Sequence, residues 1–181
     1  MAAGGKIREN KKEEFLDHKK KKRWVDEKSG NYCFMLYPRS LYVTWGHREY
    51  WDWKCFKETS DDNIEVVKLS HICWLDVRGK FKMSDLSKGA MYEVVYVVKL
   101  TKGADGWELP ITLRLSLPGG EVQERKVSLL EKPRGEWIEL NLGSFRASDG
   151  DHGEVCFDLW EHGGHWKNGL LVQGAIIRPC N

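Results

Sequence analysis

The segment Trp45-Gly46-His47-Arg48-Glu49-Tyr50-Trp51-Asp52-Trp53 sets four large aromatic rings among charged residues. A sugar ring has an apolar C–H face and a rim of hydroxyls, so a site for one needs an aromatic platform with polar groups at its edge. Trp45, Tyr50, Trp51 and Trp53 can supply the platforms and their charged neighbours the rim. The competing reading makes two of these rings core, Trp51 or Trp53 together with Trp45. A second candidate is Glu161-His162-Gly163-Gly164-His165-Trp166-Lys167-Asn168-Gly169. Its glycines let the backbone approach a ligand, Trp166 can stack, and His165, Lys167 and Asn168 can hydrogen-bond to hydroxyls or to an acetamido carbonyl. The competing reading is a hairpin loop with Trp166 packed beneath it.

Other chemistries find less support. His152, His162 and His165 lack a carboxylate or cysteine at metal-ligand spacing, so neither a metal nor another cofactor is expected. Glu136, Glu139, Glu154, Asp158 and Glu161 could supply the paired carboxylates of a glycosidase, but exposed strand carboxylates are common. There is no G-x-S-x-G and no phosphate-cradling glycine loop, and the expectation is a non-enzymatic protein.

These residues need a frame, and the apolar pattern predicts one made of strands. Ile111, Leu113, Leu115 and Leu117 alternate with Thr112, Arg114 and Ser116, which marks a half-buried strand. Pro118-Gly119-Gly120 turns the chain into polar Val122–Val127, suited to a sheet edge. Tyr92–Leu100 is apolar on both faces through its middle, as a central strand covered on each side would be. Further strands are expected at Leu41–Trp45, Ile64–Leu69, Cys73–Val77, Trp137–Leu142, Glu154–Trp160 and Leu170–Ile177. So many short strands with hardly a helical repeat predict an all-β antiparallel sandwich of jelly-roll-like form.

With 181 residues, 41% of them apolar, the chain can bury one substantial core. Residues 1–30 hold ten Lys/Arg and six Asp/Glu, with Phe15, Leu16 and Trp24 as their large apolar side chains apart from Ile7 and Val25. They are expected to form a charged flexible tail, partly helical after Asn10, and residues 31–181 the domain. The run Lys19–Arg23 has the composition of a nuclear address or an RNA-binding patch, and also of a solvated run. The remainder is slightly acidic, which argues against a general nucleic-acid binder. Five scattered cysteines without a C-x-x-C pair predict free thiols. No apolar run is long enough to span a membrane, and the start lacks a secretory hydrophobic stretch, so a cytoplasmic protein is expected.

Trp45 with Tyr50-Trp51-Asp52-Trp53, Cys73-Trp74-Leu75-Asp76, Gly79-Lys80-Phe81, Tyr92-Glu93-Val94, Gly106-Trp107, Trp137-Ile138-Glu139-Leu140, Trp166-Lys167-Asn168-Gly169-Leu170 and Gly174–Pro179 together resemble the phloem protein 2, or Nictaba-like, plant lectins. The resemblance implies a β-sandwich lectin that binds N-acetylglucosamine oligomers, namely chitin oligosaccharides and the chitobiose core of N-glycans and glycoproteins, without metal or catalysis. It points to Trp45 and Trp51 near the start of the domain. A more distant likeness to sugar-recognising F-box proteins points to His165, Trp166 and Lys167, although nothing in residues 1–40 resembles an F-box. It also implies a place in phloem sap or sieve elements and a filament protein partner held through cysteines, with Cys180 the best candidate. A second copy of the chain is a further candidate partner.

Overall fold

The computed structural model describes residues 13–44, 50–55, 65–148 and 152–180. Among them, strands follow in chain order as β1 (Glu14–Leu16), β2 (Lys21–Val25), β3 (Tyr32–Leu36), β4 (Tyr42–Val43), β5 (Trp51–Cys55), β6 (Glu65–Leu69) and β7 (Leu75–Lys82). There follow β8 (Met91–Asp105), β9 (Ile111–Ser116), β10 (Val122–Val127), β11 (Trp137–Arg146), β12 (Glu154–Glu161) and β13 (Asn168–Pro179). Every recorded pairing is antiparallel.

The strands form two sheets, as a sandwich requires. One has the order β10-β9-β12-β7-β4. In the other, β13 pairs along its length with β8, which pairs in turn with β11, while its opposite edge is divided between two hairpins. Leu171 and Val172 pair with β6 of the β5–β6 hairpin; Ala175, Ile176 and Ile177 pair with β3.

The alternation of side chains builds the core between the sheets. Tyr92, Val94, Tyr96, Val98 and Leu100 of β8 face it from one side. Leu113 and Leu115 of β9, Val155, Phe157 and Leu159 of β12 and Val77 and Phe81 of β7 face it from the other. Gly79 stands opposite Phe157 across the β7–β12 pair, and a Cβ there would lie 2.2 Å from the Phe157 ring, so glycine makes room for it. Strand β8 is buried on both faces from Val94 to Val98, as the unbroken apolar run there requires, and polar β10 forms the edge of its sheet.

The first thirty residues depart from expectation. Residues 1–12 lie outside those described, but β1 and β2 form a hairpin, and β2 pairs with β3 from Lys21–Leu36 to Val25–Tyr32. Its charges suit a sheet edge, and its one large ring, Trp24, packs with Ile176 against Met35 and Tyr37 on the face turned away from the main core. A single well-placed aromatic therefore attaches a segment too polar to fold alone. The basic run belongs to this hairpin: Lys21 pairs with Asp17 at 3.4 Å, Lys22 with Glu13 at 3.5 Å, and Arg23 with Glu14.

Candidate functional site

Strand β12 ends at Glu161 in one sheet and β13 begins at Asn168 in the other, so residues 162–167 cross between sheets instead of turning a hairpin. A bridge to Ile72 fixes the crossing, with Lys167 N donating to Ile72 O at 2.8 Å and Ile72 N to Lys167 O at 3.0 Å. Lys167 is 0% exposed, and its ammonium lies 2.5 Å from Glu161 Oε2. It also donates to the carbonyls of Cys73 and His165, the latter at 3.2 Å. An ammonium can stay buried only when its donors are used in this way. Lys167, expected to reach a sugar, instead pins the loop from inside.

Its expected companions are also engaged internally. His165 Nε2 donates to Gly106 O at 3.0 Å, and Asn168 Oδ1 accepts from Asp105 N at 2.9 Å. Buried Trp107 donates its indole N–H to Asn168 O at 2.9 Å. Gly106 has φ +92°, and a Cβ there would lie 2.1 Å from Trp166 O; only glycine allows this approach.

What the loop displays is aromatic. Trp166 is 55% exposed and lies on the His71 ring, with centroids 4.2 Å apart and planes 6° from parallel. Trp74 is 49% exposed and lies on the His162 ring at 3.7 Å and 9°. The latter pair is a cross-strand consequence of Leu75 facing Glu161, and His162 Nε2 donates in turn to Asp76 Oδ2 at 3.1 Å. Each exposed indole is thus backed by an imidazole that holds it in one orientation.

Of the early aromatic cluster, Trp45 lies outside the described residues. Trp51 is 0% exposed and donates its indole N–H to Thr44 O at 2.8 Å, so it is core and offers no platform. Trp53 is partly buried against the core, with the Arg39 guanidinium 3.7 Å above its ring. Tyr50 is partly buried too, and its carbonyl accepts from Ser70 N at 2.6 Å and His71 N at 3.3 Å. Through His71, Tyr50 comes within one residue's reach of Trp166. Sequence reasoning missed His71, Trp74 and His162 as a group. A usable signal was the alternation in Cys73–Val77, which turns Trp74 outward when Leu75 and Val77 turn inward.

No group of three or more metal-binding side chains occurs among the described residues. Of the carboxylates considered for catalysis, Glu139 is held by Arg178 at 2.7 Å and Glu161 by Lys167. Burial, reinforced by the neighbouring Asp76, pushes the Asp158 carboxyl up to about 8. The folded protein therefore keeps a proton there that the unfolded chain releases near pH ~4. The stabilisation this proton brings is complete below that pH and fades as pH rises towards 8. Asp158→Asn mimics the protonated form, so above pH 8 it is expected to melt higher than the parent by roughly 2 °C or more. Melting curves with the same pH slope in both proteins would contradict this.

A β-sandwich whose inter-sheet connection presents braced aromatic rings is the class of domain defined here. Residues 31–179 match the phloem protein 2 family, and the chain belongs to that family. Protein PHLOEM PROTEIN 2-LIKE A1 of Arabidopsis thaliana is 45% identical over 170 residues, which is 91% of this chain and 69% of that one. A protein named Lectin from Luffa acutangula is 40% identical over 167 residues, 91% of this chain and 79% of that one. Among solved structures, that of TmCBM61 in complex with beta-1,4-galactotriose aligns with TM-score 0.45 and 12% identity, over 77% of this chain and 87% of that one.

Proposed function

We propose that this protein is a non-catalytic lectin that binds N-acetylglucosamine oligomers across the exposed faces of Trp166 and Trp74. The observation that carries the proposal is the pair of half-exposed indoles, each stacked on a histidine at the inter-sheet connection. An indole already held in orientation loses little freedom when a sugar stacks on it. The family membership and the name of the Luffa relative support the same reading. Neutral-sugar binding should change little between low and moderate salt, whereas binding to phosphate backbones through the basic hairpin would weaken steeply.

Titration calorimetry with chitotriose tests the site. Trp166→Ala and Trp74→Ala are each expected to weaken binding roughly ten-fold, the loss of about one aromatic stacking contact. Both rings are half in solvent, so melting should shift by no more than about 2 °C. If both variants fold and bind chitotriose as the parent does, the site lies elsewhere. Prolonged incubation with chitin oligomers should yield no shorter product; a shorter product would refute the non-catalytic reading.

A further inference from the structure

The outer face of the five-stranded sheet carries a groove of about 590 Å³, separate from the two exposed indoles. Register places Tyr42, Arg78, Asp158, Arg114 and Glu124 in one row across all five strands. The next row is Lys80, Cys156 and Ser116. Arg39 joins Arg78, Lys80 and Arg114 in the wall, so four cations line it. The one carboxyl in the lining, Asp158, is pushed up to about 8 by burial and by Asp76, which weakens its competition for the cations.

The cations are paired, but loosely. Arg39 meets Glu65 at 2.9 Å, Arg114 meets Glu124 at 2.9 Å and Lys80 meets Glu154 at 3.7 Å, all with both partners more than a third exposed or close to it. Exposed pairs of this kind contribute little and are easily exchanged for a better anion. None of those three glutamates lines the groove. Arg78 is different, because its partner Asp76, at 3.1 Å, is buried. Two guanidinium groups also sit over aromatic rings, Arg78 4.8 Å from the centroid of Tyr42 and Arg114 4.5 Å from that of Trp160. These contacts tie two of the cations to neighbouring strands, and Ser116 and Ser40 also line the groove. The backbones of Arg78 and Arg114 are two strands apart, about 10 Å. That spacing suits a ligand with hydroxyls along its length and carboxylates at intervals.

We infer that this groove is a second saccharide site, for an oligosaccharide carrying carboxylates, a uronic acid oligomer, with Arg114, Arg78 and Lys80 meeting the acid groups. Charge-assisted contacts between guanidinium and carboxylate supply direction, and the serine and tyrosine hydroxyls meet the sugar rim. The site does not depend on the indoles of the inter-sheet connection.

Cys156 lies in the groove wall and its thiol is free, which gives a local readout. A galacturonate oligomer should bind the intact protein and slow alkylation of Cys156, mapped by mass spectrometry. The methyl-esterified oligomer of the same length, with its carboxylates neutralised, should bind at least roughly ten-fold more weakly and leave Cys156 open. Arg114→Gln and Lys80→Gln should each weaken the acidic oligomer and leave chitotriose binding as in the parent; Trp166→Ala should do the reverse. Equal binding of acid and ester by the wild-type protein overturns the inference, whatever the variants do. So does acid binding that leaves Cys156 unprotected, or a single-stranded RNA that protects Cys156 as well as the uronate does. Should chitotriose fail to bind while the uronate protects Cys156, the second site stands and the proposed neutral-glycan site falls.

Discussion

Lys167→Ala is expected to be among the most destabilising single changes in this protein, at about 3–5 kcal/mol, or a melting temperature lower by roughly 6–20 °C. The ammonium is fully buried, and its removal leaves the Glu161 carboxylate, itself 9% exposed, without its cation. It also takes the donor from the part-buried carbonyls of Cys73 and His165. The double variant Lys167→Met with Glu161→Gln removes both charges and should recover part of the loss, because an apolar pair need not be desolvated as ions. Calorimetric or circular-dichroism melting decides. A Lys167→Ala protein that melts within ~1 °C of the parent would show that Lys167 is not the pin described, and would return it to the candidates for direct sugar contact.

Trp51→Ala should cost a similar amount, about 3–5 kcal/mol, through a different cause. Trp51 is a fully buried ring at the start of β5, and its deletion opens a cavity in the core and strips Thr44 O of its donor. Trp51→Phe keeps much of the packing and loses the hydrogen bond, so it should fall between parent and Ala in melting. Chitotriose binding by Trp51→Phe should match the parent wherever the variant is folded. Lost binding with unchanged melting would make Trp51 a sugar platform after all.

These two residues show where sequence reasoning reaches its limit. Ile111–Ser116, and Tyr92–Leu100 within the longer Met91–Asp105, were legible because alternation or its absence directly records how many faces of a strand are covered. The division of Trp residues between core and surface was not, since it depends on which sheet a strand joins and what lies across from it. Trp51 and Trp166 have equally polar neighbours in sequence, yet one is 0% and the other 55% exposed. Lys167 was read as a surface donor because lysine is rarely buried, and the carboxylate and carbonyls that permit it come from the end of β12, from Cys73 and from the connection itself at His165. The early hairpin was hidden for a related reason. Edge strands tolerate charge, so Glu14–Leu16 and Lys21–Val25 carry no apolar face to announce them apart from Trp24. In the late loop Trp166 faces solvent, as its expected stacking role requires. The polar residues expected to assist it turned out to hold it.

Strand β13, which zips together β8, β6 and β3, is the last of the thirteen to be synthesised. Leu36 has to wait for Ala175 before its edge is paired. At synthesis rates of roughly 5–20 residues per second that delay is on the order of ten seconds. Throughout it, β3 and β6 present open backbone edges with apolar side chains beside them, the conditions under which nascent chains pair with the wrong neighbour. The larger sheet therefore closes only after β13 has emerged, and a ribosome-bound chain halted before Leu170 should be held by chaperones and be sensitive to protease across Tyr32–Leu36 until β13 is released.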